Sequence, residues 1–326
     1  MNVTNTTDIN LPLAVWLMHD EYDYIDKPNY ISATSLMKPL RHLVLPQRVP
    51  KELKEAPDVQ DYIPSALGSS LHAAIERAWT DGHAQSLKAL GYPEKVIERV
   101  LVNPTDEELA QVEDPIPIYL EQRAFRDIDV NGTTFTVGGK FDMVTAGIVQ
   151  DVKSTTAYTW VYGGKDEDYK LQGSIYRWLN PDKITEDYIR INFIFTDWQR
   201  AAAKGNPNYP QSRVAYKDIP LMTLEETEAW IHAKLAQLLK HRNSDEKFLP
   251  ECSDHELWMS DPQFKYFADP TKTTGRSTKN FETLLEANKF MSEKGKGVVI
   301  TVPGEPKRCG YCAGFPICSQ KNKYFS

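Results

Sequence analysis

The sequence predicts an α/β protein: a mixed central sheet flanked by helices, followed by a small α+β module that bears the cysteines. Three observations predict it. From about residue 69 the chain reads helix, three strands, helix, strand, the alternation of a sheet with helices laid on its faces. The three strands are joined by the turn pairs Asn131-Gly132 and Ala146-Gly147, as antiparallel neighbours require. None of the cysteines precedes Cys252, and three sit together in "CGYCAGFPIC".

The chain has 326 residues, 41% hydrophobic and 25% charged, enough for one large domain with an appended module. The expected division is an N-terminal arm over 1–30, a core over 31–245 and a cysteine-bearing module over 246–326. The net charge of -7 argues against coating nucleic acid by overall charge, yet leaves room for a local basic groove. No apolar run approaches the roughly 18 to 20 residues that span a bilayer. The start, "MNVTNTTDIN", has neither a basic n-region nor an apolar h-region. A soluble cytoplasmic protein with no membrane partner is expected, so the sequons at Asn2, Asn5 and Asn131 carry no meaning.

Each element has its own reason. The aromatic and acidic "LPLAVWLMHDEYDYIDKPNY" predicts an irregular arm or a short helix. "YISATSLMKPLRHLVL" predicts a helix entering the core through Leu36, Leu40, Leu43 and Val44, limited by Pro39. A loop follows over 46–64. "GSSLHAAIERAW" opens on serine caps and sets His72, Glu76 and Trp79 on one helical face. Strands follow at "IPIYLEQRAFRDIDV", "TFTVGGKFDMV" and "GIVQDVKST", then a helix over Asp168 to Leu179 and strands at Tyr188 to Trp198 and "RVAYKDIPL". Thr223 with Glu226 forms a capping box opening a helix to about His241. Beyond Cys252, "FKYFADPTKTTGRSTKNF" predicts a strand, a basic turn and a strand, followed by a helix over Glu282 to Met291.

The chemistry gathers in "GGKFDMVTAGIVQDVKSTT". In a strand, Asp151 and Lys153 project from one face while Val152 points away into the core. Asp142 reaches the same face if the turn at Ala146-Gly147 closes a hairpin. Two carboxylates brought together need a cation, and hard oxygen ligands suit Mg²⁺ or Mn²⁺. Phosphodiester hydrolysis uses such a set, with the lysine orienting or activating water. A surface ion pair is the bland reading of a bare D-x-K. The apolar "GIV" before Asp151 weighs against it, because a lysine ending a buried strand is costly without a partner. His72 with Glu76, and Gln172 with Tyr176, are i, i+4 pairs. Taken singly they read as a surface pair and as core packing beside a solvated glutamine.

In order, "GSSLHAAIE", "GGKFDMV", "DVKST" and "QGSIYRW" resemble the RecB-like branch of the PD-(D/E)XK nuclease superfamily, over about residues 31–198. The resemblance implies that Asp142 and Asp151 coordinate the divalent metal, with the Val152 carbonyl a further ligand and His72 an additional one. It implies Lys153 as the catalytic lysine, Glu76 as a metal-proximal acid and Glu121 as an acid approaching the same site. Gln172 and Tyr176 match the family's Q-x-x-x-Y motif, which implies contact with the substrate strand and support of the site. Phe141 stands where the motif has proline.

The activity implied is a metal-dependent deoxyribonuclease, an exonuclease acting on DNA ends in phage replication or recombination within a bacterial host. A single-strand annealing protein or a helicase is compatible as its partner. Other readings are a structure-specific endonuclease, a non-catalytic nucleic-acid-binding relative, and a zinc-stabilised interaction module with a fortuitous D-x-K. The joint presence of Asp142, Asp151 and Lys153 argues against the non-catalytic relative.

Cys309, Cys312 and Cys318 give C-x₂-C-x₅-C, a spacing that wraps one soft-metal centre. Zinc usually takes paired C-x₂-C hooks. The RecB-like relatives use this triplet, plus one distant cysteine before the core, for a [4Fe-4S] cluster. Here the distant cysteine is Cys252, after the core. The expectation is a structural [4Fe-4S] cluster on Cys252, Cys309, Cys312 and Cys318, with Zn²⁺ as the alternative, fastening the C-terminal module to itself. His255 is the substitute ligand for Cys252. The turn with Lys265, Lys272, Arg276 and Lys279 has the charge to track DNA phosphates.

Overall fold

The computed structural model describes residues 3–20 and 23–325, so Asn2 of the first sequon lies outside the described residues. The chain forms two units, Met1–Met37 with Glu55–Ala236, and Lys38–Lys54 with Gln237–Ser326. No helix among the described residues is long and apolar enough to cross a membrane.

The first unit is built on a seven-stranded mixed sheet flanked by helices. Its strands are β1 (Tyr30–Ser32), β2 (Val100–Val102), β3 (Ile116–Val130), β4 (Thr133–Thr145), β5 (Ile148–Thr155), β6 (Tyr188–Phe195) and β7 (Val214–Pro220). They lie in the order β2-β3-β4-β5-β6-β7, with β1 paired to β4 off that path. β3-β4 and β4-β5 are antiparallel hairpins, whereas β5 and β6 run parallel. Both hairpin turns have left-handed central residues, Asn131 (φ 52) with Gly132 (φ 78) and Ala146 (φ 51) with Gly147 (φ 74). This is the backbone a two-residue turn between twisted strands favours.

β4 changes partner along its length. Residues Thr136 to Gly138 pair with β1, and Met143 to Thr145 pair with β5. On that edge residues 139–142 lie between the two ladders, and Asp142 is among them. The parallel step from β5 to β6 needs a crossover, and the helix Asp166–Leu179 is part of it, burying Ile175, Tyr176, Trp178 and Leu179. Two glycines let this helix sit low. A Cβ on Gly139 would stand 2.8 Å from Leu179 Cδ1 and 3.1 Å from Tyr176 Cε1, and one on Gly173 would stand 2.8 Å from Ile189 Cβ. Gly173→Val is therefore expected to cost about 1–3 kcal/mol by overpacking. An unchanged thermal midpoint would show that the helix is not seated this tightly.

Several elements differ from expectation. The helix carrying His72 runs Ile63–Ala89, so it starts at Ile63 with a proline in its first turn and not at the serines. Proline suits that turn because the lost N–H is unpaired there anyway. The helix expected from Leu36 to Val44 is two pieces, Ala33–Leu36 and Leu40–Val44, with Pro39 between them. The arm forms a helix over Leu11–Met18. It is pinned near its start by Asp58, whose Oδ2 accepts from the Thr6 N–H (2.7 Å) and from the Thr4 and Thr6 hydroxyls (2.9 Å each).

The second unit holds a three-stranded antiparallel sheet, β8 (Gln263–Phe267), β9 (Lys279–Phe281) and β10 (Val298–Val302), in the order β10-β8-β9. The basic turn joins β8 to β9 as expected, and the following helix spans Leu284–Lys294 with Thr283 as its cap. The unit boundary departs from the expected 245/246 for a physical reason. Leu40, Val44 and Leu45 share a core with Leu249, against which Leu238, Ile317 and Cys318 pack. Residues 38–54 thus belong with the cysteine-bearing segment.

Candidate metal sites

Two hairpins of fixed register build the first site. Leu120 pairs with Met143 and Gln122 with Phe141, so Glu121 falls opposite Asp142. Met143 pairs with Gln150 and Val144 with Val149, so Asp151 comes opposite Asp142 from the other side. Glu121, Asp142 and Asp151 therefore form one row of carboxylates across β3, β4 and β5. Like charges directly opposite one another destabilise a sheet. The strain is visible at Glu121, whose φ of 50 is left-handed within a strand.

Other groups close on the row. His72 Nδ1 lies 3.2 Å from Asp142 Oδ2, and its Nε2 lies 3.1 Å from the Val152 carbonyl oxygen. A carbonyl only accepts, so Nε2 carries the proton, and in the neutral ring Nδ1 presents its lone pair beside Asp142. The Val152 oxygen thereby orients the histidine. Lys153 Nζ is 2.6 Å from Asp151 Oδ2 and 2.9 Å from Oδ1. Lys140 Nζ is 2.5 Å from Glu121 Oε2. Gln172 Nε2 donates to Tyr176 Oη at 3.1 Å, which leaves the phenol its own proton to donate. Glu76 lines the same small cleft, about 20 Å³, with His72, Glu121, Asp142 and Val152. One expectation is corrected: Asp151 is the buried residue, 2% exposed, while Val152 is half-buried. The residues flanking Asp151 on its own face, Val149 and Lys153, run from core to solvent, so that face enters the core before it emerges.

The electrostatics fit a cation. Burial pushes the Asp151 carboxyl up to about 7, helped by the Asp142 charge and opposed by Lys153. Burial also raises Asp142, but the His72 and Asp151 side chains beside it outweigh that and the net direction is down. His72 is raised, chiefly by the Asp142 carboxylate beside it, which favours the protonated ring. Tyr176 is held far above the usual phenol range by burial, with Asp142, Asp151 and Glu121 adding to it. The buried Asp142 Oδ2 and Asp151 Oδ2 sit at ion-pair distance from His72 and Lys153 without hydrogen-bond geometry, so lone pairs remain unclaimed. One ligand atom each of His72, Glu121 and Asp142 lies within 4.8 Å of the others, a spacing that could hold a metal ion. Oxygen donors with one imidazole suit Mg²⁺ or Mn²⁺.

This arrangement sets a pH dependence. A carboxyl raised by folding binds its proton more tightly in the native chain, so its contribution to stability falls as pH rises from about 4, the unfolded value, to about 7. His72, also raised, contributes stability present below its unfolded value of about 6.5 and lost as pH rises through its folded one. The lowered Asp142 acts only below about pH 4. Metal-free protein is thus expected to melt several degrees lower at pH 8 than at pH 5, with Mn²⁺ restoring more at pH 8. Asp151→Asn should flatten the slope. An equal slope in that variant, measured by thermal melting across the range, would remove the buried carboxylate as its cause.

Sequence reasoning missed a neighbouring hollow. Trp160, Tyr169 and Phe193 wall a cavity of about 150 Å³ together with Lys165 and Lys217. It lies beside the end of β5, where Thr159 Oγ1 meets Thr155 Oγ1 at 2.9 Å.

No family model matches the chain, and no curated protein does. Among solved structures it is similar to one titled "Crystal structure of SSO0001", with 16% identity and a TM-score of 0.42 over 73% of this chain and 90% of that one. A likeness of that size fixes neither family nor activity.

The second site lies within the second unit. All four cysteines, Cys252, Cys309, Cys312 and Cys318, are half-buried free thiols of this unit, near enough to influence one another's charge. Burial pushes Cys252 up to about 12, with Glu256 and Cys318 adding to it. Burial raises Cys309 and Cys312 too, the latter against the opposing influence of the nearby Gly314 and Phe315 backbone. Such a group becomes thiolate only with a cation among the sulfurs, and an all-sulfur set fits iron-sulfur or zinc. Two supporting residues left no signal in the sequence. Gln320, buried, accepts from the Cys252 N–H (2.9 Å) and donates to its carbonyl (2.8 Å). Arg41, 3% exposed, donates to Cys318 Sγ (3.4 Å), to the Leu249 and Pro250 carbonyls and to Glu246. His255 is exposed.

Proposed function

We propose that the chain is a divalent-metal-dependent deoxyribonuclease of the RecB-like PD-(D/E)XK type, an exonuclease acting on DNA ends, with a structural [4Fe-4S] cluster in its second unit. The row Glu121, Asp142, Asp151, with Lys153 on its last member and His72 on its middle one, is the observation that carries this reading. Glu121, Asp142, Asp151 and His72 would hold Mg²⁺ or Mn²⁺, which supplies Lewis-acid stabilisation of the phosphate charge when bound.

The chain's own groups do the rest. Lys153, with 31% of its side chain exposed beside a 3% exposed Asp151 side chain, presents a fixed cation where the charge of the hydrolysed phosphate develops. His72 is held by the Val152 carbonyl so that Nδ1 faces the row. Tyr176, seated over Gly139 and kept as a phenol, stands close enough to the same acids to feel their charge, and Gln172 donates to its hydroxyl. The Trp160 and Tyr169 hollow offers aromatic faces and Lys165 to a nucleotide of the substrate strand, its other lysine, Lys217, being paired with Asp166 on the same wall.

The test is digestion of end-labelled linear, circular and single-stranded DNA with Mg²⁺ or Mn²⁺. Release of short products from linear DNA, with circular DNA spared, is expected. Intact DNA under all conditions would reject the nuclease reading, and nicking of the circle would replace the exonuclease by an endonuclease.

A further inference from the structure

One member of the carboxylate row has a backbone that a regular strand does not supply. Glu121 has φ 50 within β3, a left-handed conformation that is costly for a residue with a Cβ. The residues on either side keep their strand pairing, Leu120 with Met143 and Gln122 with Phe141. The distortion is therefore confined to Glu121, and something must hold it against relaxation.

Both neighbours of Glu121 are tied to one side chain. β2 runs beside β3 as far as Val102, which pairs with Ile118. Asn103 follows, and its N–H donates to the Ile118 carbonyl (2.8 Å). Its own φ is 50, which asparagine tolerates, and Pro104 after it has no N–H with which to continue the ladder. The Asn103 amide takes the vacant place. Its Oδ1 accepts from the Leu120 N–H (2.8 Å) and its Nδ2 donates to the Leu120 carbonyl (3.2 Å), the pair of bonds a further strand residue would make. The same Oδ1 accepts from Gln122 Nε2 (3.0 Å), and Gln122 Oε1 in turn accepts from Lys183 Nζ. Glu121 is thus bracketed by two anchored residues. Its carboxylate lies within 4.8 Å of the ligand atoms of His72 and Asp142, and a local kink of this kind re-aims a side chain that regular alternation would direct elsewhere.

We propose that Asn103 is a positioning residue of the metal site: by bracketing Leu120 and Gln122 it holds Glu121 left-handed and aims its carboxylate at a cation shared with His72 and Asp142. This rests on the metal-dependent reading above and extends it to a residue that is not itself a ligand.

Two measurements on the full-length protein test it, neither of which needs DNA. The first compares the thermal midpoints of Glu121→Gly and Glu121→Ala, which lack the carboxylate equally and differ in their tolerance of a positive φ. In the otherwise unaltered chain the glycine variant should melt about 2–4 °C higher. With Asn103→Ala added to both, residue 121 is free to become extended, and the order should vanish or reverse because glycine weakens a strand. The second is binding of Mn²⁺ alone, read from the electron paramagnetic resonance of the free ion. Asn103→Ala should weaken it about tenfold or more. The metal-free variant should melt close to wild type, because Asn103 is exposed and the strain at Glu121 is released as the hydrogen bonds are lost. An equal advantage of glycine over alanine in both backgrounds overturns the clamp, and unchanged Mn²⁺ affinity in Asn103→Ala overturns its positioning role. The two readings fail separately. Wild-type protein that binds no Mn²⁺ rejects the metal site and the positioning role with it, whatever the melting order. Mn²⁺-dependent cleavage of DNA, with the melting order unaltered by Asn103→Ala, rejects the clamp and leaves the nuclease standing.

Discussion

Lys153→Ala is expected to abolish metal-dependent DNA hydrolysis, lowering the rate at least about 100- to 1,000-fold, the effect of removing one preorganised group from a developing charge. The lysine is not interchangeable with a nearby cation. Lys140, the other lysine at the row, is engaged by Glu121 at its opposite end. Asp142→Asn and Asp151→Asn should lose comparable activity by another route, weakening metal affinity, and so should respond to excess Mn²⁺ where Lys153→Ala does not. The variants also separate in stability. Lys153→Ala leaves Asp151 buried without its partner, so metal-free protein should melt lower at pH 8, whereas Asp151→Asn removes the buried charge and should melt higher. Rates measured on end-labelled DNA decide the first point. A Lys153→Ala enzyme retaining more than about a tenth of the wild-type rate, a difference under ~1.4 kcal/mol, would end the assigned role.

Cys312→Ser is expected to remove the metal proposed for the second unit and, with it, that unit's cooperative folding. A structural metal on thiolates contributes on the order of 10 kcal/mol to a small module, comparable with the whole stability of a domain. The consequence should extend to residues 38–54, because Leu40 and Leu45 pack in the core that Cys318 touches and Arg41 donates to its sulfur. Anaerobically purified wild-type protein should be brown, with about four iron and four sulfide per chain. Cys312→Ser and Cys252→Ser should be colourless and cleaved by protease within residues 38–54. Stoichiometric zinc without sulfide would replace the cluster by the zinc alternative. A Cys252→Ser that stays brown would remove Cys252 as a ligand.

Much of the first site was legible, and more than motif reading used. Two-residue turns at Asn131-Gly132 and Ala146-Gly147 set the register of both hairpins, because each residue then pairs at equal distance from the turn. Counting outward puts Glu121 and Asp151 on either side of Asp142. The carboxylate row is thus implicit in the sequence, although motif spacing alone named Glu121 only as an approaching acid. The depth of Asp151 was not legible, since alternation tells which residues share a face and not which face is covered. The helices Ile63–Ala89 and Asp166–Leu179, both packed against β5, decide that.

The cysteine-bearing unit divides differently. Local spacing proposes a shared centre for three thiols, and the hairpin and capping signals determined the strands and the helix Leu284–Lys294. The tertiary structure decided that Gln320 holds the Cys252 backbone, that Arg41 serves Cys318 from 277 residues away, and that residues 38–54 belong with the tail. Short-range chemistry is written in neighbouring residues, because turns, caps and strand faces depend on backbone geometry over a few positions. Partners brought together by burial of separated apolar segments leave no local mark, because any segment with the same few leucines would satisfy the same core.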